Sequence, residues 1–195
     1  PILLVVTFVV YLLTLAHDAV VGESARLIVQ YTGLDPFPPL SHFVWGWLAQ
    51  SMVILTGSFA VVGLNFLSAV FGALSVYLLY ELVIRIPHDR TAEEVESRFP
   101  AAPVQALSGL VAALVLAFCA PFWIVSTRAH TASFDVFLLL LVTWLLVRFL
   151  ETKRFGYLWI FVFLYGLGIT EFATFIVLSP VYALGVLYAI WRSGV

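Results

Sequence analysis

Six long apolar runs, separated by more polar stretches of very different length, set the pattern of the 195-residue chain. They are Ile2 to Ala16, Val61 to Ile86, Val104 to Ala120, Phe134 to Leu150, Tyr157 to Thr170 and Phe172 to Trp191. A helix needs about 20 apolar residues to cross a hydrocarbon core of about 30 Å. The runs therefore predict an all-α integral membrane protein of about six transmembrane helices, a single domain over 1–195 that is the N-terminal part of a longer chain. The fifth and sixth runs nearly touch, which predicts a tight turn close to the membrane. No basic n-region or small-residue cleavage site accompanies the first run, so it is read as a retained span and not as a signal peptide.

A seventh apolar run, Phe43 to Leu55, has a different character. Thirteen residues at about 1.5 Å each reach only about 20 Å, and Gln50 and Ser51 interrupt it. Trp45 and Trp47 sit at its start, where indole rings suit the headgroup level. It is expected to lie in the interface, within an outer loop covering 17–57.

Charge tests this topology. With six crossings, Arg85, Arg90, Arg98, Arg148, Lys153, Arg154 and Arg192 share one side with both ends of the chain, and only Arg26 and Arg128 lie opposite. That asymmetry fits the positive-inside rule, with both ends cytoplasmic. The 87–103 loop, which opens with PHDRTAEEVESRFP, reads as a solvated cytoplasmic connector with a short helix around Ala92 to Arg98.

Composition agrees and excludes some functions. The chain is 63% apolar and 10% charged, against roughly 25% charged in soluble domains. A net charge of -2 and the lack of a basic cluster argue against nucleic acid as a partner. The single cysteine, Cys119, excludes an intrachain disulfide and a CxxC metal site, and nothing points to a metal or another cofactor.

The acidic residues sort by side. Asp18, Glu23, Asp35, Asp135 and Glu171 fall at the outer ends of spans or in outer loops, with His17, His42 and His130. Ionisable groups near membrane depth are costly and tend to line a cavity or a site. Asp35, His42, Asp135 and Glu171 are candidate cavity-lining residues; Asp135 also suits a helix N-terminus, where the dipole favours a carboxylate. Glu171 has no local partner in TEFATF. Glu81 belongs to the other side, one turn from Arg85 and spaced to pair with it. In the first outer loop the spacing predicts a helix from about Asp18 to Tyr31, with Glu23, Arg26 and Gln30 on one face. Gly33 ends it, and LDPFPPL continues as a stiff, extended segment.

HDAVVGESARLIVQYTGLDPFPPL, the interfacial run, and then GLNFLSAVFGALSVYLLY together resemble the N-terminal part of the GT-C glycosyltransferases. The closest resemblance is to a bacterial membrane-protein family of unknown function related to protein O-mannosyltransferases. The matching residues are Glu23, the Pro36 to Pro39 segment, and Asn65 with Ser68. APFWIVSTRAHTASFDVF and YGLGITEFATFIVLSP are similar to that family's second outer loop and its Gly-Leu-rich turn. The chain departs from the pattern at Val20, where the family carries an aspartate, and at Asp35, His130 and Phe172.

The resemblance implies a bacterial inner-membrane enzyme that transfers a hexose such as mannose from a polyprenyl-phosphate carrier to an acceptor protein or glycan on the outer face. It implies a carboxylate base, with Glu23 the first candidate and Asp18 the second. It also implies groups that receive the donor phosphate, for which Arg26, Arg128 and His130 are available. Partners on this reading are the lipid-linked donor, membrane lipid and the acceptor. The alternative is a non-catalytic subunit that keeps a GT-C-like scaffold and plays a structural role among other membrane subunits. A short chain, Val20 and an aromatic content of 16% motivate it.

Overall fold

The computed structural model describes residues 1–34, 42–86 and 101–193. Asp35, the LDPFPPL segment from residue 35 onward and the expected helix around Ala92 to Arg98 lie outside the described residues. Among the described residues every regular element is helical: α1 (Ile2–Leu13), α2 (Glu23–Tyr31), α3 (Phe43–Thr56), α4 (Ala60–Val83), α5 (Ala101–Phe118), α6 (Ala120–Ser126), α7 (Thr131–Thr152), α8 (Phe155–Glu171), α9 (Ala173–Val177) and α10 (Ser179–Ser193), with a short 3-10 turn at Gly57–Phe59.

By length and apolarity two helical stretches are able to cross a membrane, or three if the bent pair α5 and α6 counts as one span. Ile2–Leu13, Phe155–Glu171 and Ser179–Trp191 are shorter apolar helices. The 12 residues of α1 reach only about 18 Å.

α4 is the central helix and packs against α1, α3, α5, α6 and α7, while α7 carries α8 and α10. Its buried face is rich in small residues: Ser68, Ala69, Gly72, Ala73 and Ser75. Such residues let backbones approach closely where water supplies no driving force. A Cβ on Gly72 would lie 2.6 Å from the Ser126 Cβ and 3.1 Å from the Tyr11 ring, so α6 could not pack there as it does and the Tyr11 ring would have to give way. The main core joins Trp45 and Ala49 of α3, Leu64 and Leu67 of α4, and Phe134, Leu138, Val142 and Phe149 of α7.

Four breaks shape the bundle. The helix expected to start near Asp18 starts at Glu23, because Gly22 adopts φ 109°, ψ -143°, a backbone state open to glycine and costly for side-chain-bearing residues. Asp18 is thereby removed from α2. From Phe43 to Val83 the chain is helical for 41 residues, but it is not straight. Thr56 and Gly63 would stand about 10 Å apart along a straight helix, yet a Cβ on Gly63 would lie 2.7 Å from Thr56 Oγ1. Gly57 at φ 52° makes this turn, and α3 folds back beside α4.

The third apolar run bends by 67° between α5 and α6. Pro121 has no N–H to give to the Ala117 carbonyl four residues earlier; the Tyr11 hydroxyl donates to that carbonyl instead, at 2.9 Å. The sixth run divides at Leu178 into α9 and α10, with Pro180 in the first turn of the latter. As expected, α8 and α9 join by a tight turn, through the extended residue Phe172. Glu81 and Arg85 pair as their spacing predicts, and Arg85 also approaches Glu151 at 3.9 Å.

Candidate functional site

Two buried polar residues of α4 organise the end of the bundle where the carboxylates gather. Asn65 is fully buried. Its side-chain amide donates to the Ala16 carbonyl at 2.6 Å, and its side-chain oxygen accepts from the Ala129 N–H at 2.6 Å. One turn further along, the Ser68 hydroxyl accepts from the His130 N–H at 3.1 Å and faces the His130 carbonyl at 3.3 Å. Spaced i, i+3, the two side chains share a face and tie both connecting segments to one helix.

His130 is thereby fixed as the N-cap of α7. Its Nδ1 accepts from the Ala132 N–H at 3.0 Å, which puts the proton of the neutral ring on Nε2. Nε2 stands 3.1 Å from Oε2 of Glu23, the first residue of α2. Glu23 is half exposed, so its second oxygen remains open to solvent or to a ligand.

A second carboxylate–imidazole pair lies opposite. Asp135, in the first turns of α7, is buried, and its Oδ1 is 3.7 Å from Nδ1 of His42, an ion-pair distance and too long for a hydrogen bond. The facing Asp135 carboxylate raises the His42 imidazole above its ordinary value although burial opposes this; Glu171 and Glu23 add to the rise. His42 itself is left-handed, at φ 62°, ψ 59°.

Glu23, Arg26, Leu27, Gln30, Tyr31, His42 and Thr131 enclose a pocket of about 50 Å³ between these pairs. That holds a few waters. Arg26 has no ion-pair partner among the described residues. Glu171, with no partner in its own sequence neighbourhood, finds one across the bundle: its Oε1 accepts the backbone N–H groups of Val44 and, at 2.8 Å, Trp45.

Of the candidate residues, Glu23, Arg26, His42 and His130 come together, with Asp135 and Glu171 directly behind them. Asp18 is exposed, makes no hydrogen bond or ion pair among the described residues and does not line the pocket. Arg128 turns back, its Nε donating to the Ile124 carbonyl at 3.1 Å. Tyr31 and Thr131 line the pocket without having been singled out from the sequence. The available signal was the polar pair Asn65 and Ser68 within an apolar span, which marks where α4 receives the rest of the site. Among the described residues no His, Cys, Asp or Glu group has the arrangement to hold a metal ion.

Residues 36–194 match the family model described as the protein O-mannosyl-transferase TMEM260 N-terminal domain. The chain belongs to this family. The matched range contains His42, Asn65, Ser68, His130, Asp135 and Glu171, while Asp18, Glu23 and Arg26 precede it. Neither the curated proteins nor the solved structures contain a match to the chain. The family relation supports a protein O-mannosyltransferase-like glycosyltransferase.

Proposed function

We propose that the protein is a GT-C glycosyltransferase of the membrane that passes a mannosyl group from a polyprenyl-phosphate donor to an acceptor hydroxyl on the outer face. The observation that carries this reading is Glu23: one carboxylate oxygen is held by His130 Nε2 and the other is open, on a pocket wall that also presents Arg26. In the reaction the acceptor oxygen attacks the anomeric carbon and its proton passes to the open oxygen of Glu23. The bond from that carbon to the phosphate oxygen breaks as the new glycosidic bond forms, with inversion. A base of this kind must lie within hydrogen-bond reach of the acceptor. Arg26 and the cationic form of His42 stand where the departing phosphate's negative charge would develop. Charged partners at such a position are worth most when aimed in advance. On the same reading the shorter apolar helices α1, α8 and α10 complete six crossings of a bacterial inner membrane, and apolar grooves between helices take the donor's tail.

The test is transfer from a polyprenyl-phosphate mannose to a serine- or threonine-containing acceptor, with the full-length protein in membranes. Glu23→Gln is expected to abolish transfer and Asp18→Asn to leave it largely intact. Retained transfer in the double variant removes Glu23 and Asp18 as the base.

One observation favours a second reading, a non-catalytic subunit on the same scaffold. Ligand pockets run from about 300 Å³ upward, and this one measures about 50 Å³, so a hexose enters only if α2 and α3 part. Purification at fixed stoichiometry with other subunits, together with no transfer by the wild-type protein, selects this reading.

A further inference from the structure

α3 begins without a cap of its own. The first four N–H groups of a helix have no intrahelical acceptor, and the side chain of His42, at the capping position, accepts none of them. Glu171 supplies the acceptor from the far end of α8, through Val44 and Trp45.

Local preference opposes this placement. A carboxylate at the last residue of α8 sits at the negative end of that helix, the end that favours cations. Glu171 is also only 5% exposed, and its second oxygen, Oε2, is buried without a hydrogen-bond partner among the described residues, which is costly for an ionised group. What offsets these costs is the positive end of α3, which Glu171 meets directly. The next residue outward, His42, holds a left-handed backbone state, and such states persist only where the surroundings over-determine them. Glu171 grips the two residues that follow Phe43, and Asp135 faces the His42 ring.

We propose that Glu171 is a positioning residue of the outer pocket: by capping α3 from the end of α8 it holds His42 against Asp135 and so sets the shape and charge of the pocket wall. This concerns the same pocket as the transferase reading and rests on that reading only for its activity arm. Once the cap is released, the first turn of α3 frays, His42 relaxes to an ordinary backbone state and its ring leaves Asp135. The charged groups that face His42 are Asp135 from α7, Glu171 from α8 and Glu23 from α2, and Arg26 of α2 lines the same pocket.

The experiment is an NMR titration of the histidines in the full-length, ring-labelled protein in nanodiscs, with the His42 signal assigned through His42→Gln. Glu171→Gln keeps an oxygen for the two N–H groups and removes one nearby charge, so the His42 midpoint falls slightly. Glu171→Ala removes the cap as well, and the midpoint falls further. The ring signals of His130, anchored by Ala132 and Glu23, keep their chemical shifts in both. Equal His42 midpoints in the two variants make Glu171 a charge and not a cap, and overturn the proposal. A His130 signal that moves together with His42 means a general loosening of the fold and overturns it too. In the activity arm, Glu171→Ala lowers kcat about 100-fold, the scale of a displaced site, and Glu171→Gln stays within a few-fold of wild type. A Gln variant as inactive as the Ala variant gives the carboxylate a direct role and also overturns the proposal. If the wild-type protein shows no transfer, the transferase reading falls and the titration still decides the role of Glu171.

Discussion

Nε2 of His130 stands 3.1 Å from Oε2 of Glu23, so the residue that caps α7 also orients the first residue of α2. Because Nδ1 is occupied by the Ala132 N–H, the imidazole has one free edge and that edge faces the carboxylate. The pair is partly exposed, and its value lies in aim more than in stability.

Replacing Glu23 by Gln therefore separates the two. On the proposed reading, loss of the Glu23 base lowers transfer by about 10²- to 10⁴-fold, whereas an exposed pair contributes about 0–1 kcal/mol to stability. Transfer assays alongside thermal unfolding of the same preparation are expected to show a large loss in the first and little change in the second.

His130 serves two ends that different substitutions pull apart. His130→Ala removes the cap, at a cost of about 1 kcal/mol, and frees Glu23. His130→Asn restores a good capping residue without an imidazole edge for Glu23. Denaturation of the Asn variant should approach wild type while its transfer rate stays low; recovery of both would remove the orienting role.

Asn65 carries more of the fold than its single side chain suggests. Asn65→Leu leaves the Ala16 carbonyl and the buried Ala129 N–H without their partners. At about 1–3 kcal/mol for each unpaired buried group, equilibrium unfolding in detergent should show a loss of about 2–6 kcal/mol. Asn65→Asp keeps the acceptor for Ala129 but sets a buried carboxylate oxygen against the Ala16 carbonyl, so it should lose at least as much.

His42 gives the protein a pH dependence with a definite sign. Its folded value lies above the ordinary 6.5, raised by Asp135. The folded state then binds a proton that the unfolded state releases first. The stabilisation is fully present below 6.5 and is lost as pH rises through the folded value. Unfolding midpoints measured across that window should decline with rising pH in the wild type, and His42→Gln should flatten this part of the decline.

Much of the fold was legible because it depends on short stretches. Apolar runs near membrane-crossing length, the pairing of Glu81 with Arg85 and the tight turn before Phe172 are properties of neighbours in sequence. The gathering of acidic residues and histidines at one end follows from where the runs stop. The breaks were less legible. Gly22 and Gly57 take positive φ values that their composition alone does not announce, and so α2 starts later than Asp18 and α3 folds back beside α4.

The sequence by itself determined a helical chain with apolar spans and a polar end bearing Glu23, Arg26, His42, His130, Asp135 and Glu171. Only the tertiary structure decided which of these meet. Glu23 found His130, His42 found Asp135, and Glu171 found the bare N-terminus of α3, while Asp18 stayed exposed outside the pocket and Arg128 turned back to the Ile124 carbonyl. The reason is physical: helix formation is governed by residues within a turn or two, whereas partners on different helices are chosen by how the small-residue face of α4 lets α1, α3, α6 and α7 approach. Spacing along the chain carries no record of that distance.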